Sequence, residues 1–142
     1  MATFEATCTT VAGGLRVVSM AGCEVSTRSE TARRLCLQGL GWLWSFHHEE
    51  AVRCFEASLE AAAADSASCP LAAWGVAHCC SSDYNDGVFT DAAKATAFCA
   101  TAVAQAEAGG ASALEAALIA AEKVRIDAVD AGDLRAPQAY AR

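Results

Sequence analysis

Eight cysteines and three histidines are the residues of this chain with the most chemistry to offer. His47, His48, Cys54, His78, Cys79 and Cys80 together carry enough donors for a zinc ligand set, and His48 and Cys54 fall near one another in the chain. Zinc sites are usually built on tight paired spacings, because one turn of chain must aim two donors at the same ion. No Cys-x-x-Cys occurs here, and the adjacent Cys79 and Cys80 could rarely bridge each other without strain. The competing reading takes Cys8, Cys23, Cys36, Cys54, Cys69, Cys79, Cys80 and Cys99 as reduced, mostly buried small hydrophobes. Their positions inside helical patterns favour that reading, so neither a metal nor a cofactor is expected.

Other reactive groupings are weaker. Ser, Cys and His all occur, but no nucleophile-elbow or Cys-His signature surrounds any of them. Asp83, Asn85 and Asp86-Gly87 resemble the start of a calcium loop. Counted from Asp83, the sixth position is Val88 and the twelfth Lys94, where that loop needs Gly and Glu. Gly13-Gly14 and Gly109-Gly110 lack a phosphate-loop context. The carboxylates along the helices read as solvated faces. No catalytic residue is assigned, and no enzyme is expected.

The elements that must position these residues follow from composition. The chain has 142 residues, 35 of them alanine, a formal charge of −7 and few aromatics. Alanine is the strongest intrinsic helix former, so the chain reads as one acidic, all-α domain. Ten Lys and Arg against seventeen acids argue against nucleic acid as a partner. No apolar window is long enough for a membrane span. Residues 1–28 form an N-terminal arm without helical period, in which Leu15–Met20 is either a short strand or irregular. Their Ser and Thr content with Arg16 and Arg28 suits an organelle transit peptide, but Glu5 and Glu24 count against it, and the expected location is cytoplasmic.

Ser29 is a helix start, and Ala32, Leu35, Cys36, Gly39, Leu43 and Phe46 follow at three- and four-residue steps. A second helix is expected over Glu49–Ala63, with Glu49 and Arg53 paired at i,i+4. A third follows Pro70, over Leu71–Cys80. Residues 81–87 are turn-rich; Thr90 caps a fourth helix reaching Ala108, and Gly109-Gly110 ends it. Ser112 caps a fifth, to Ala131, leaving a tail at 132–142. Its Leu114, Leu118, Ile119, Ala121 and Val124 form a broad apolar front. Five helices with short connections make an antiparallel array spanning 29–131.

Within the first hairpin, Gly39-x2-Trp42 and then Ala51-x3-Phe55 match the small-to-aromatic steps of a tetratricopeptide repeat. Further positions extend the likeness: Phe46, His48, Glu50, then Cys69, Trp74, Gly75, Ala77, then Tyr84 and Asn85. Over residues 29–127 the chain thus resembles the tetratricopeptide-repeat (TPR) family, in particular a subgroup with Phe-x-His and Trp-Gly-x-Ala motifs. It departs from the subgroup in its long AAAADSASCP linker and in Asp83 where Asn is usual. Subgroup members are several times longer, so the likeness is to the N-terminal part of a longer protein or to a shortened relative. It implies an α-solenoid whose leading helices line a concave side. Arg33, Leu40, Leu43, Trp44 and Val76 are then partner-binding candidates, while Gly39, Trp42, His48, Ala51, Phe55, Trp74, Gly75, Ala77, Tyr84 and Asn85 are structural. The expected function is a non-catalytic scaffold that binds proteins or associates with itself; the alternatives are a structural subunit of a larger assembly and a small His/Cys metal-binding protein or enzyme.

Overall fold

Ser29 starts the helical part of the chain: its hydroxyl accepts from the Ala32 N–H at 3.1 Å, capping α1 (Glu30–Trp44). The computed structural model describes residues 6–10, 16–20, 23–81 and 90–130. Four more helices follow: α2 (His48–Ala64), α3 (Pro70–Cys80), α4 (Ala92–Gln105) and α5 (Ala113–Asp130). A single wide π-type turn, Ala106–Gly110, extends α4. The domain is all-α, as the alanine content dictates. Ahead of it the arm is not wholly irregular, because β1 (Ala6–Thr10) pairs antiparallel with β2 (Arg16–Met20). Thr, Cys and Val in those two runs suit extended backbone. The turn-rich 82–89 segment, with Tyr84 and Asn85, and the 132–142 tail lie outside the described residues.

Most helix starts follow from local chemistry. Pro70 occupies the first turn of α3, where its missing N–H costs nothing. Asp91, not Thr90, caps α4, its carboxylate accepting from the Lys94 N–H at 3.0 Å. Both are capping residues, and the carboxylate is the one aimed at the free N–H groups. Ser112 begins α5 and is half of a reciprocal cap described below.

α3 is the centre of the array and packs against α1, α2, α4 and α5. Ten of its eleven residues are buried, so it is apolar all round and only His78 reaches the edge. Around it the order repeats: α1 packs on α2, α3 on both, and α5 on both α3 and α4. Phe55 of α2 is fully buried where three helices meet. A Cβ on Gly39 would lie 2.6 Å from its ring, and one on Gly75 would lie 2.5 Å from the other edge. The ring is held between two glycine backbones, which explains the Gly39-to-Phe55 pattern and adds Gly75 to it.

Residues 23–29 lie across one end of this array. Val25 is buried, and Arg33 donates to Val25 O at 2.9 Å and Thr27 O at 2.8 Å. Arg28 donates to Ser66 O at 3.0 Å, and the Ser29 hydroxyl donates to Asp65. The segment thus ties the start of α1 to the end of α2, and β2 runs alongside α1.

Candidate interaction surface

The turn between α1 and α2 carries the most exposed aromatics among the described residues. Ser45 closes α1; the Phe46 N–H donates to Leu43 O at 3.0 Å and the His47 N–H to Trp42 O at 3.0 Å. This is the paired-bond ending in which the next residue must be left-handed, a position usually held by glycine. Here it is Phe46, at φ 59°. α2 ends in the same way, with Ser66 at φ 51°, and among the described residues only the turn after α4 places a glycine, Gly109, in that conformation. A bulky residue in this region stores strain. Phe46 is 84% exposed and Trp44 64% exposed, so neither side chain recovers that strain through burial. The Phe46 ring leans on His48, with centroids 6.5 Å apart, and His47 meets Trp42 edge-on at 5.4 Å.

From His48 an open groove of about 430 Å³ runs between α2, the end of α3 and the start of α4. Val52, Cys79 and Cys80 form its apolar wall, and Glu49, Arg53, Asp91 and Lys94 its charged rim. Lys94 Nζ reaches Glu56 at 2.7 Å, a bond that raises the lysine pKa. Arg53 pairs with Glu50 rather than with the expected Glu49, since an i,i+3 rotamer brings the guanidinium to 2.5 Å. Burial pushes the Cys79 thiol up to about 12, helped by Cys80 and Glu122, and burial also raises Cys80. Burial thus favours the protonated form of both thiols, which is the less nucleophilic one.

The donors considered for zinc are split up. His48, Cys79 and Cys80 share the groove, His47 packs on Trp42, and Cys54 is half-buried on another part of α2. His78 turns toward α5, stacks on Trp74 at 4.9 Å and bonds Glu122 through Nδ1 at 3.0 Å. Among the described residues no three His, Cys, Asp or Glu side chains come together around a common metal position.

The partner-binding candidates fare unequally. Trp44 is exposed as expected. Leu40 and Leu43, each 5% exposed, and Val76, fully buried, are core residues and present no surface. The expectation treated the leading helix as open on one side, but β2 lies along α1, and α3 is enclosed on every side. Arg33 is half-exposed and committed to the arm carbonyls and to Glu30, at 3.3 Å. Of the residues read as structural, Gly39, Ala51, Phe55, Trp74, Gly75 and Ala77 are buried, while Trp42 and His48 are half-buried.

Sequence reasoning missed the polar interior of α5. Glu115, Glu122 and Arg125 are buried beside Ile119 and Ile126, so these carboxylates do not form a solvated face. Arg125 bonds Glu122 at 2.5 Å and also reaches Ser81. Glu115 accepts from Ser112 N–H at 2.7 Å and from Ser26 N–H at 2.9 Å, while the Ser112 hydroxyl accepts from Glu115 N–H at 3.3 Å. Burial disfavours this carboxylate, yet the bonds from Ser26 and Ser112 outweigh it and lower its pKa. Two signals were present: the Ser112-x-x-Glu115 capping box, and the 4-3-4 spacing of 115, 119, 122 and 126. The expected apolar front is divided accordingly. Ile119 is buried, whereas Leu114 is 71% and Val124 53% exposed.

The chain matches no family model, no curated protein and no solved structure. No helix among the described residues is long and apolar enough to cross a membrane.

Proposed function

We propose that this chain is a non-catalytic helical-repeat scaffold of the TPR type that binds a protein partner through the α1–α2 turn. The observation that carries the reading is Phe46, an exposed aromatic kept in a strained backbone conformation that glycine would occupy more easily. Strain kept without a packing return marks positions retained for a contact. Trp44 supplies a second exposed aromatic on the same turn, and aromatics of this kind are the usual anchors of protein interfaces. The groove beginning at His48 gives such an interface an apolar floor and charges of both signs. Support for the repeat architecture comes from the way α5 seats on α3 and α4 as α3 seats on α1 and α2. Reduced thiols in the core fit the reducing cytoplasm.

The test is a quantitative comparison of proteins retained by the wild-type chain and by a Trp44→Ser, Phe46→Gly double variant. A partner set lost with the double variant, at an undiminished melting temperature, supports the reading. Identical sets would refute it. The alternative of a subunit buried in a larger assembly draws on Leu114 and Val124, which leave α5 with uncovered apolar surface.

A further inference from the structure

The groove that opens at His48 is unequal in charge. Its two bases are already engaged within the fold: Lys94 holds Glu56 at 2.7 Å and Arg53 holds Glu50 at 2.5 Å. Glu49 and Asp91 stand exposed on the same rim, and neither is in an ion pair among the described residues. Asp91 accepts from the Lys94 N–H at the start of α4, a bond that leaves its negative charge in place. The raised pKa of Lys94, set first by its bond to Glu56 and in part by Asp91, agrees with an acidic rim. Phe46 and Trp44 stand beside this groove. The Phe46 ring lies 6.5 Å from the ring of His48, which itself lines the groove, so an exposed aromatic surface runs into the groove wall. Glu49 and Glu50 follow in the first turn of α2.

We propose that the occupant of this surface is a short basic segment of the partner, with arginine beside an apolar residue, a proposal that rests on the α1–α2 turn being the partner-binding surface. Arginine suits both halves of the site. Its planar guanidinium stacks on aromatic rings, and its fork of N–H groups donates to carboxylates. Here the rings are Trp44 and Phe46, and the carboxylates are Glu49 and Asp91. The apolar wall of Val52, Cys79 and Cys80, in a groove of about 430 Å³, takes the aliphatic neighbour. The formal charge of −7 draws a positive segment from a distance, which favours encounter. An acidic segment meets the opposite conditions. To bind here it must compete with Glu56 for Lys94 or with Glu50 for Arg53, while facing Glu49 and Asp91.

The test is fluorescence anisotropy on the full chain with labelled peptides of equal length that pair leucine with arginine, with lysine or with glutamate. The arginine peptide is expected to bind tightest and to weaken as salt is raised. The lysine peptide should bind less well, because it keeps the charge but not the planar stacking. Glu49→Gln with Asp91→Asn neutralises the rim while asparagine keeps the cap of α4, and should weaken the arginine peptide about tenfold. Trp44→Ser with Phe46→Gly should narrow the gap between the arginine and lysine peptides. The order of the peptides on the wild-type chain decides even if a variant folds poorly. Tighter binding of the glutamate peptide, no binding of the arginine peptide, or arginine binding that neither double variant weakens would overturn the proposal. Proteins retained from a lysate separate the two levels. A partner set lost with the aromatic double variant but kept by the rim double variant leaves the turn as the partner surface and removes the basic occupant. A set unchanged by the aromatic double variant removes the turn itself.

Discussion

Phe46 occupies the position after a helix where glycine is most at ease, so its replacement separates stability from binding. Phe46→Gly relieves left-handed strain and is expected to stabilise the fold by about 1 kcal/mol. A higher melting temperature in circular dichroism, together with weaker partner retention, is the predicted signature. Phe55 gives the opposite case. Phe55→Ala removes the ring held by Gly39 and Gly75 and should cost about 3–5 kcal/mol. Gly75→Ala or Gly39→Leu adds atoms where the ring cannot retreat, at a cost of about 1–3 kcal/mol or more. Denaturant unfolding of these variants checks both. The Gly39–Phe55 relation was legible because small and aromatic residues at matched steps have few explanations other than close packing. The exposure of Phe46 was not, since a one-face stripe cannot show that the helix has already ended and turned left-handed.

At the scale of elements, α5 shows what periodicity conceals. Its buried stripe alternates acids with isoleucines, so an apolar pattern alone points to the wrong face. Only the partners, Ser26, His78 and Ser81, reveal why charges lie inside, and each comes from a distant part of the chain. Glu115→Ala, which removes the cap and the link to the arm, should cost about 1–2 kcal/mol. The lowered pKa of Glu115 adds stability above the ordinary carboxyl value of 4.5, and this is lost as pH falls below it. The thiols govern the alkaline side. Cys23, Cys36, Cys54, Cys79, Cys80 and Cys99 are all harder to ionise when folded. Such groups stabilise the fold below the ordinary thiol value of 9.0 and surrender that contribution above it, Cys79 as far as about 12. Cys69 acts in reverse, adding stability as pH rises from about 7 to 9.0. Melting temperature is therefore expected to hold or rise up to pH 9.0 and then to fall steeply. A thermal-melt series across pH, with a cysteine-to-alanine control at Cys79, measures it.

Taken as a whole molecule, the described residues form little more than two helical hairpins and a fifth helix, short of the repeat number that usually supports a free-standing array. Residues 23–29 offset part of this deficit by joining the starts of α1 and α5 and the end of α2. Leu114 and Val124 remain uncovered, so concentration-dependent self-association is expected, and Leu114→Glu should suppress it without lowering the melting temperature. Light scattering across a concentration series decides. Helix number, order and most starts were legible in the sequence, because Ser29, Pro70 and Ser112 act locally. The covering of Leu40 and Leu43 was not, because it comes from tertiary neighbours.

The clamp on Phe55 also makes its ring a clock. A phenylalanine ring turns over by half rotations, and each one needs room along both edges. Gly39 belongs to α1 and Gly75 to α3, so the ring can turn only when both helices draw back from α2 together. In solution NMR the two sides of this ring should give separate resonances that merge on warming. The temperature at which they merge would time the shared opening of three helices in the intact fold.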